Sequence, residues 1–256
     1  MKRKCKELKR IARENLSACG YILPMRAFIL TSLIASLFEL PFSMLQTTAV
    51  RFSTQNIIYY IAQVIIGLVS ILLTCGQYRI HFSIAQHKKI EMKDLFFYVK
   101  NMPDRYILAR FAHFGLTLLC MIPIFVGILF LYFGKAIVPA LGLIIIGIII
   151  TLLFSLTFDL LFFVLMENPA FSVGEAFIQM QRLMKGNLGK YFYLQLSFLG
   201  MMLLVALSFG LAILWVQPYM TQTVTLFYYE LTGQLDKIEV YKHTNTNNTN
   251  VFEQYI

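Results

Sequence analysis

Two carboxylates sit where charge is costly: Glu39, inside the apolar residues 25–45, and Asp159, inside residues 137–165. An Asp at the middle of a membrane helix costs about 2.5–3.5 kcal/mol on insertion scales, so its surroundings have to account for it. Neither residue is isolated. Ser32, Ser36, Glu39 and Ser43 recur every three or four positions and share one helix face, and Gly147, Thr151, Ser155 and Asp159 recur every four. Similar stripes run through Gln63, Gly67, Ser70, Thr74 and Gln77, through His113, Thr117 and Cys120, and through Gln217, Thr221 and Thr225. Two chemistries fit five such stripes turned away from lipid. One is a polar path or pocket in which Glu39 or Asp159, a tentative intramembrane polar site, carries a proton or cation. The other is interhelical bonding, with small residues permitting close approach and polar groups joining helices. Arg110 is placed to reach Asp159 from the inner surface.

Catalytic chemistry finds little to work with. His81 and His87 do not have the four-residue spacing of a helical metal pair, and His113 and His243 stand alone. There is no Gly-x-Ser-x-Gly, no phosphate-binding loop and no His-Glu-x-x-His. Cys5, Cys19, Cys75 and Cys120 show neither a C-x-x-C pair nor zinc spacing. The expectation is a protein without enzymatic activity, cofactor or metal. Tyr191, Phe192, Tyr193, Trp215 and Tyr219 read as aromatic belts at the membrane interface.

The elements that position these residues follow from composition. Of 256 residues, 58% are hydrophobic and 14% charged, and the mean hydropathy is +0.68. A soluble core of this size cannot hide so much apolar surface, so lipid is the solvent for most of it. Apolar runs at 25–45, 57–77, 107–133, 137–165, 188–207 and 211–231 predict six spans in one transmembrane domain, 1–233, or five if the run 188–231 crosses once, followed by a polar, disordered tail, 234–256. Pro123 is expected to loosen the third span, and Ser208–Gly210 to divide the last long run. The expected fold class is all-α, a polytopic membrane helix bundle.

Three amphipathic helices precede three hairpins of spans, with starts near Glu7, Met92 and Ser172. The first places Leu8, Ile11, Ala12, Leu16 and Cys19 on one face, and reads as a helix lying on the inner leaflet. Its Lys2, Arg3, Lys4, Lys6, Lys9 and Arg10 are the candidate lipid-surface contacts. The second has an expected apolar face of Met92, Leu95, Phe96 and Val99. The third opens on the capping box Ser172-x-x-Glu175, with Val173, Ala176, Phe177, Met180 and Met184 on its apolar face.

The net charge of +9 would suggest nucleic acid in a soluble protein, but the basic residues fall in blocks beside the spans. With the N-terminus inside, all of the 22 Lys and Arg except Arg51 and Lys135 lie on the inner side. The expected location is the cytoplasmic membrane, with both termini cytoplasmic. Anionic membrane lipids are the expected partners, a membrane protein is a further one, and nucleic acid is not.

Asn168-Pro169, Leu183-Met184-Lys185-Gly186-Asn187, Leu196-Ser197-Phe198, Leu214-Trp215, Pro218-Tyr219, Phe227-Tyr228 and Glu230-Leu231 resemble the hallmark of an uncharacterised family of bacterial integral membrane proteins. That family, common in low-GC Gram-positive bacteria, is catalogued as a domain of unknown function. Ala12-Arg13-Glu14-Asn15-Leu16 is similar to its N-terminal motif, and Met201-Met202 departs from its pattern. The family is distantly similar to the membrane region of some glycerophosphodiester phosphodiesterases, without the chemistry of their catalytic domain. The resemblance implies a fold and a location but no activity. The expected function is a scaffold, regulator or partner subunit, with a small transporter or lipid-handling protein as the alternative.

Overall fold

The computed structural model describes residues 3–43, 54–134 and 137–238. All regular structure among them is helical: α1 (Cys5–Cys19), α2 (Ile22–Ser43), α3 (Thr54–Ala85), a 3-10 turn (Met92–Phe96) running into α4 (Phe97–Lys100), α5 (Pro103–Cys120), α6 (Ile122–Tyr132), α7 (Ile137–Phe158), α8 (Leu161–Glu167), α9 (Val173–Met184), α10 (Leu188–Leu196), α11 (Leu199–Leu207) and α12 (Ile213–Leu231). The fold is therefore all-α. The order repeats three times as a short amphipathic element followed by apolar helices.

Four stretches among the described residues are long and apolar enough to cross a membrane: Ile57–Ala85, Pro103–Tyr132, Ile137–Glu167 and Leu188–Leu207. Counting α1 and α2 as one span bent by 93° gives a fifth. The third span breaks at Met121, next to Pro123, as expected. The last long run turns at Phe209 and Gly210, both with positive φ (51° and 88°), where glycine is the residue free of steric cost. α12 occupies the place of the sixth span and is more polar than these four stretches. Its Thr221, Gln222, Thr223, Thr225 and Glu230 are buried in protein.

The chain divides into two compact units, with boundaries inside α5 and α10. In the first (1–107 and 195–256), α12 is the centre, packed by α1, α2 and α3. Phe82 of α3 lies 5.9 and 5.1 Å from the rings of Tyr228 and Tyr229. Gly76 lets α3 approach the 3-10 turn so closely that a Cβ there would lie 1.9 Å from the Leu95 carbonyl oxygen. The second amphipathic element buries Leu95 and Tyr98 and leaves Phe96 and Val99 exposed. The expected face (92, 95, 96, 99) assumes an α-helical period. The 3-10 turn over 92–96, with three residues per turn, shifts the phase at which 97–100 continue, so Leu95 and Tyr98 face inward instead.

In the second unit (Leu108–Leu194), α6 and α7 form a tight hairpin. Cβ atoms added at Gly127 and Gly147 would meet the Ala140 carbonyl oxygen at 2.8 Å and the Ile124 backbone nitrogen at 2.9 Å. Small residues set this close approach. The expected capping box on α9 is present: the Ser172 N–H donates to Glu175 Oε2 at 2.6 Å, and the Glu175 N–H donates to Ser172 Oγ at 3.3 Å. Ala176, Met180 and Met184 are buried as expected.

The composition of the tail predicts disorder from Gln234. Of its first residues, Leu235 is buried and Asp236 meets Arg3. Residues 239–256 lie outside the described residues.

Candidate functional site

The best-defined assembly of charged groups lies in the first unit, where α1 docks on α12. Leu8, Ile11, Ala12, Asn15 and Leu16, at the spacing of a helix face, are all buried. Protein, not lipid, therefore covers the apolar face of α1. The expectation of a helix on the inner leaflet does not include this packing on α12. The opposite face, with Lys4, Lys6, Arg10 and Arg13, stays exposed.

Arg3 anchors one end. Its backbone N–H donates to Glu230 Oε1 at 2.9 Å, its Nη1 to Glu230 Oε2 at 2.8 Å, and its Nη2 meets Asp236 Oδ1 at 2.6 Å. The Glu230 side chain is only 4% exposed, so the guanidinium fork compensates a carboxylate removed from water. At the other anchor, Lys9 Nζ donates to the Ser197 carbonyl at 2.9 Å and lies 4.2 Å from the Phe198 ring centre. Burial pushes the Lys9 ammonium below its usual pKa, and the nearby Cys5 opposes that shift. The Tyr219 hydroxyl donates to the Lys9 carbonyl at 3.4 Å, and Arg13 lies 6.0 Å from the Tyr219 ring.

Beside these anchors an open groove of about 530 Å³ is lined by Lys4, Lys6, Lys9, Arg10, Arg13 and Glu7, with Tyr219 in its wall. Five cations and one carboxylate line it, and although Arg10 is also paired with Glu14 at 2.5 Å, the excess of positive charge makes it an anion-attracting surface. Of the six candidate lipid contacts, Lys4, Lys6 and Arg10 remain exposed. Arg3 is committed to Glu230 and Asp236, and Lys9 to Ser197 and Phe198, so both serve the docking of α1. Lys2 lies outside the described residues. Arg13 joins the basic face although it is not among the six candidates.

The two candidate intramembrane carboxylates fare differently. Glu39 falls in α2, but its side chain lies outside the described residues. Asp159 sits in the break between α7 and α8 and accepts a hydrogen bond from the hydroxyl of the fully buried Tyr191. Within the stripes, individual residues differ. Ser32, Ser36, Gly67 and Ser155 are exposed. Thr74, Thr117, Thr221 and Thr225 donate to carbonyls four residues back on their own helices. Thr151 does bond across helices, to the Cys120 carbonyl at 3.3 Å. Tyr191 and Tyr219 are core residues, whereas Phe192, Tyr193 and Trp215 are exposed as belt residues would be.

Sequence reasoning missed Glu230, Asp236 and the buried pair His81–Gln222, joined at 2.8 Å. A signal existed for Glu230, the only acid in the apolar run 188–231. Among the described residues, no group of three or more His, Cys, Asp or Glu is placed to hold a metal.

The helices and their exposed apolar surface define an all-α protein embedded in a membrane. The chain belongs to the family described as a protein of unknown function (DUF975), whose model matches residues 1–234. No curated protein and no solved structure matches it, and the resemblance to the membrane region of glycerophosphodiester phosphodiesterases is not shown.

Proposed function

We propose that this is a non-enzymatic scaffold or regulator of the cytoplasmic membrane, which presents a rigid basic face to anionic lipid on the inner side. The carrying observation is the division of labour on α1. Its apolar face packs on α12, Arg3 just before it is committed to Glu230 and Asp236, and Lys9 to Ser197 and Phe198, while Lys4, Lys6, Arg10 and Arg13 stay exposed around one groove. Each such residue near an anionic surface adds about 1 kcal/mol of attraction. Residues 3 and 230 meet, so the N-terminus and the end of α12 share one side, which supports a cytoplasmic position for both. The hydroxyls that bond to their own helices support packing over a polar path.

The test is the purified protein in liposomes. The scaffold reading expects anionic lipid to be enriched around the protein and no solute movement. Transport of a solute by the protein alone would replace it with the transporter reading.

A further inference from the structure

A second cavity, of about 100 Å³, lies in the first unit where four segments end or begin. Ala18 and Cys19 close α1, Leu23 opens α2, Ile84 closes α3, and His87–Ile90 form the remaining wall. His87 has φ 53°, and the Lys88 N–H donates back to the Ser83 carbonyl at 2.9 Å. This end-of-helix turn fixes Lys88 and Lys89 at the cavity. Neither lysine has an ion-pair partner within bonding distance among the described residues.

The second observation is Asn15. It lines the cavity, it is only 4% exposed, and its side chain has no hydrogen-bond partner among the described residues. Its amide borders the cavity, where a bound group can hydrogen-bond to it. An amide donor with two cations fits an anion, whereas Leu23, Ile84 and Ile90 fit hydrocarbon. The ends of α1 and α3 oppose an anion with about half a charge each, less than two whole ammonium charges. Ile22, 62% exposed beside Leu23, continues the apolar wall outward.

We propose that this cavity holds one phosphate-bearing anion, with Lys88 and Lys89 binding the phosphate, the Asn15 amide donating to it, and the apolar wall receiving the stem of a lipid. The inference deepens the lipid-surface reading and rests on its placing of this side of the protein at an anionic interface.

The experiment uses the full chain in phosphatidylcholine nanodiscs, titrated with dioctanoyl phosphatidylglycerol or with inorganic phosphate, with adducts counted by native mass spectrometry. The expected result is one saturable lipid adduct per chain. It should weaken about thirtyfold in Lys88→Gln/Lys89→Gln, because two ammonium charges that attract the phosphate are removed. Asn15→Ala should weaken it too, and Lys6→Gln/Arg10→Gln should leave it unchanged. Inorganic phosphate displacing the lipid through the same residues would also support the site and assign a free anion as its source. No saturable adduct of either kind, or one insensitive to the Lys88/Lys89 pair, overturns the cavity. An adduct abolished only in the Lys6/Arg10 variant also overturns it, while leaving the surface reading in place.

Discussion

Arg3 and Glu230 close the first unit from opposite ends of the chain, with Nη1 and Oε2 2.8 Å apart and the carboxylate side chain 4% exposed. Removing one member of a buried pair leaves the other charge uncompensated, which typically costs about 3–5 kcal/mol. Because Glu230 would be stranded, Arg3→Ala should destabilise the protein by about 3 kcal/mol in denaturant unfolding in detergent. Adding Glu230→Gln to it should recover part of that loss. A purely additive double variant would show that the two residues do not act as a pair.

Gly76 and Gly67 lie on the same helix and should respond oppositely to alanine. At Gly76 the new Cβ would sit 1.9 Å from the Leu95 carbonyl oxygen, and overpacking of this kind costs about 1–3 kcal/mol. At Gly67 nothing lies within 4 Å, so alanine is neutral or mildly stabilising. Thermal midpoints of the two variants in one detergent check the contrast.

Much of the architecture was legible because hydropathy and helix period act locally. The apolar runs, the Ser172–Glu175 box and the turn at Phe209–Gly210 needed no distant partner. A Thr in a helix can satisfy its own hydroxyl, as Thr221 does on the Gln217 carbonyl, so spacing alone does not reveal a facing group. The docking of α1 was hidden for a related reason. An amphipathic face looks the same whether it covers lipid or α12, and contacts far apart in sequence, such as Arg3–Glu230 and Lys9–Ser197, distinguish them.

The α9 cap gives a pH dependence with a definite sign. Hydrogen bonds from the Ser172 backbone and side chain hold the Glu175 carboxyl below its ordinary value of 4.5. A depressed carboxyl contributes stability that is fully present above 4.5 and is lost as pH falls through its lower folded value. Amide protection at the start of α9, corrected for intrinsic exchange, should hold at pH 6 and fall in that acid window. Glu175→Gln keeps a capping side chain and should remove the pH dependence. An unchanged acid profile in that variant would assign the effect to another group.

Asp159 accepts a hydrogen bond from Tyr191 and sits in a helix break. Tyr191→Phe should cost about 1 kcal/mol by removing the hydrogen bond that the buried hydroxyl donates. Asp159→Asn keeps an acceptor oxygen and should leave stability and lipid enrichment close to those of the parent protein. Loss of lipid enrichment in stable Asp159→Asn protein would give this carboxylate a functional role.

The most direct test of the basic face is lipid enrichment in the shell around the protein. The protein is extracted with its lipid from mixed phosphatidylcholine–phosphatidylglycerol membranes, and the shell composition is compared with the bulk. The parent protein should carry excess phosphatidylglycerol that declines as salt rises. The Lys4→Gln/Lys6→Gln/Arg10→Gln/Arg13→Gln variant should lose most of that excess. The same excess in parent and variant would contradict the account, because the exposed cations of α1 would then not be what the membrane meets.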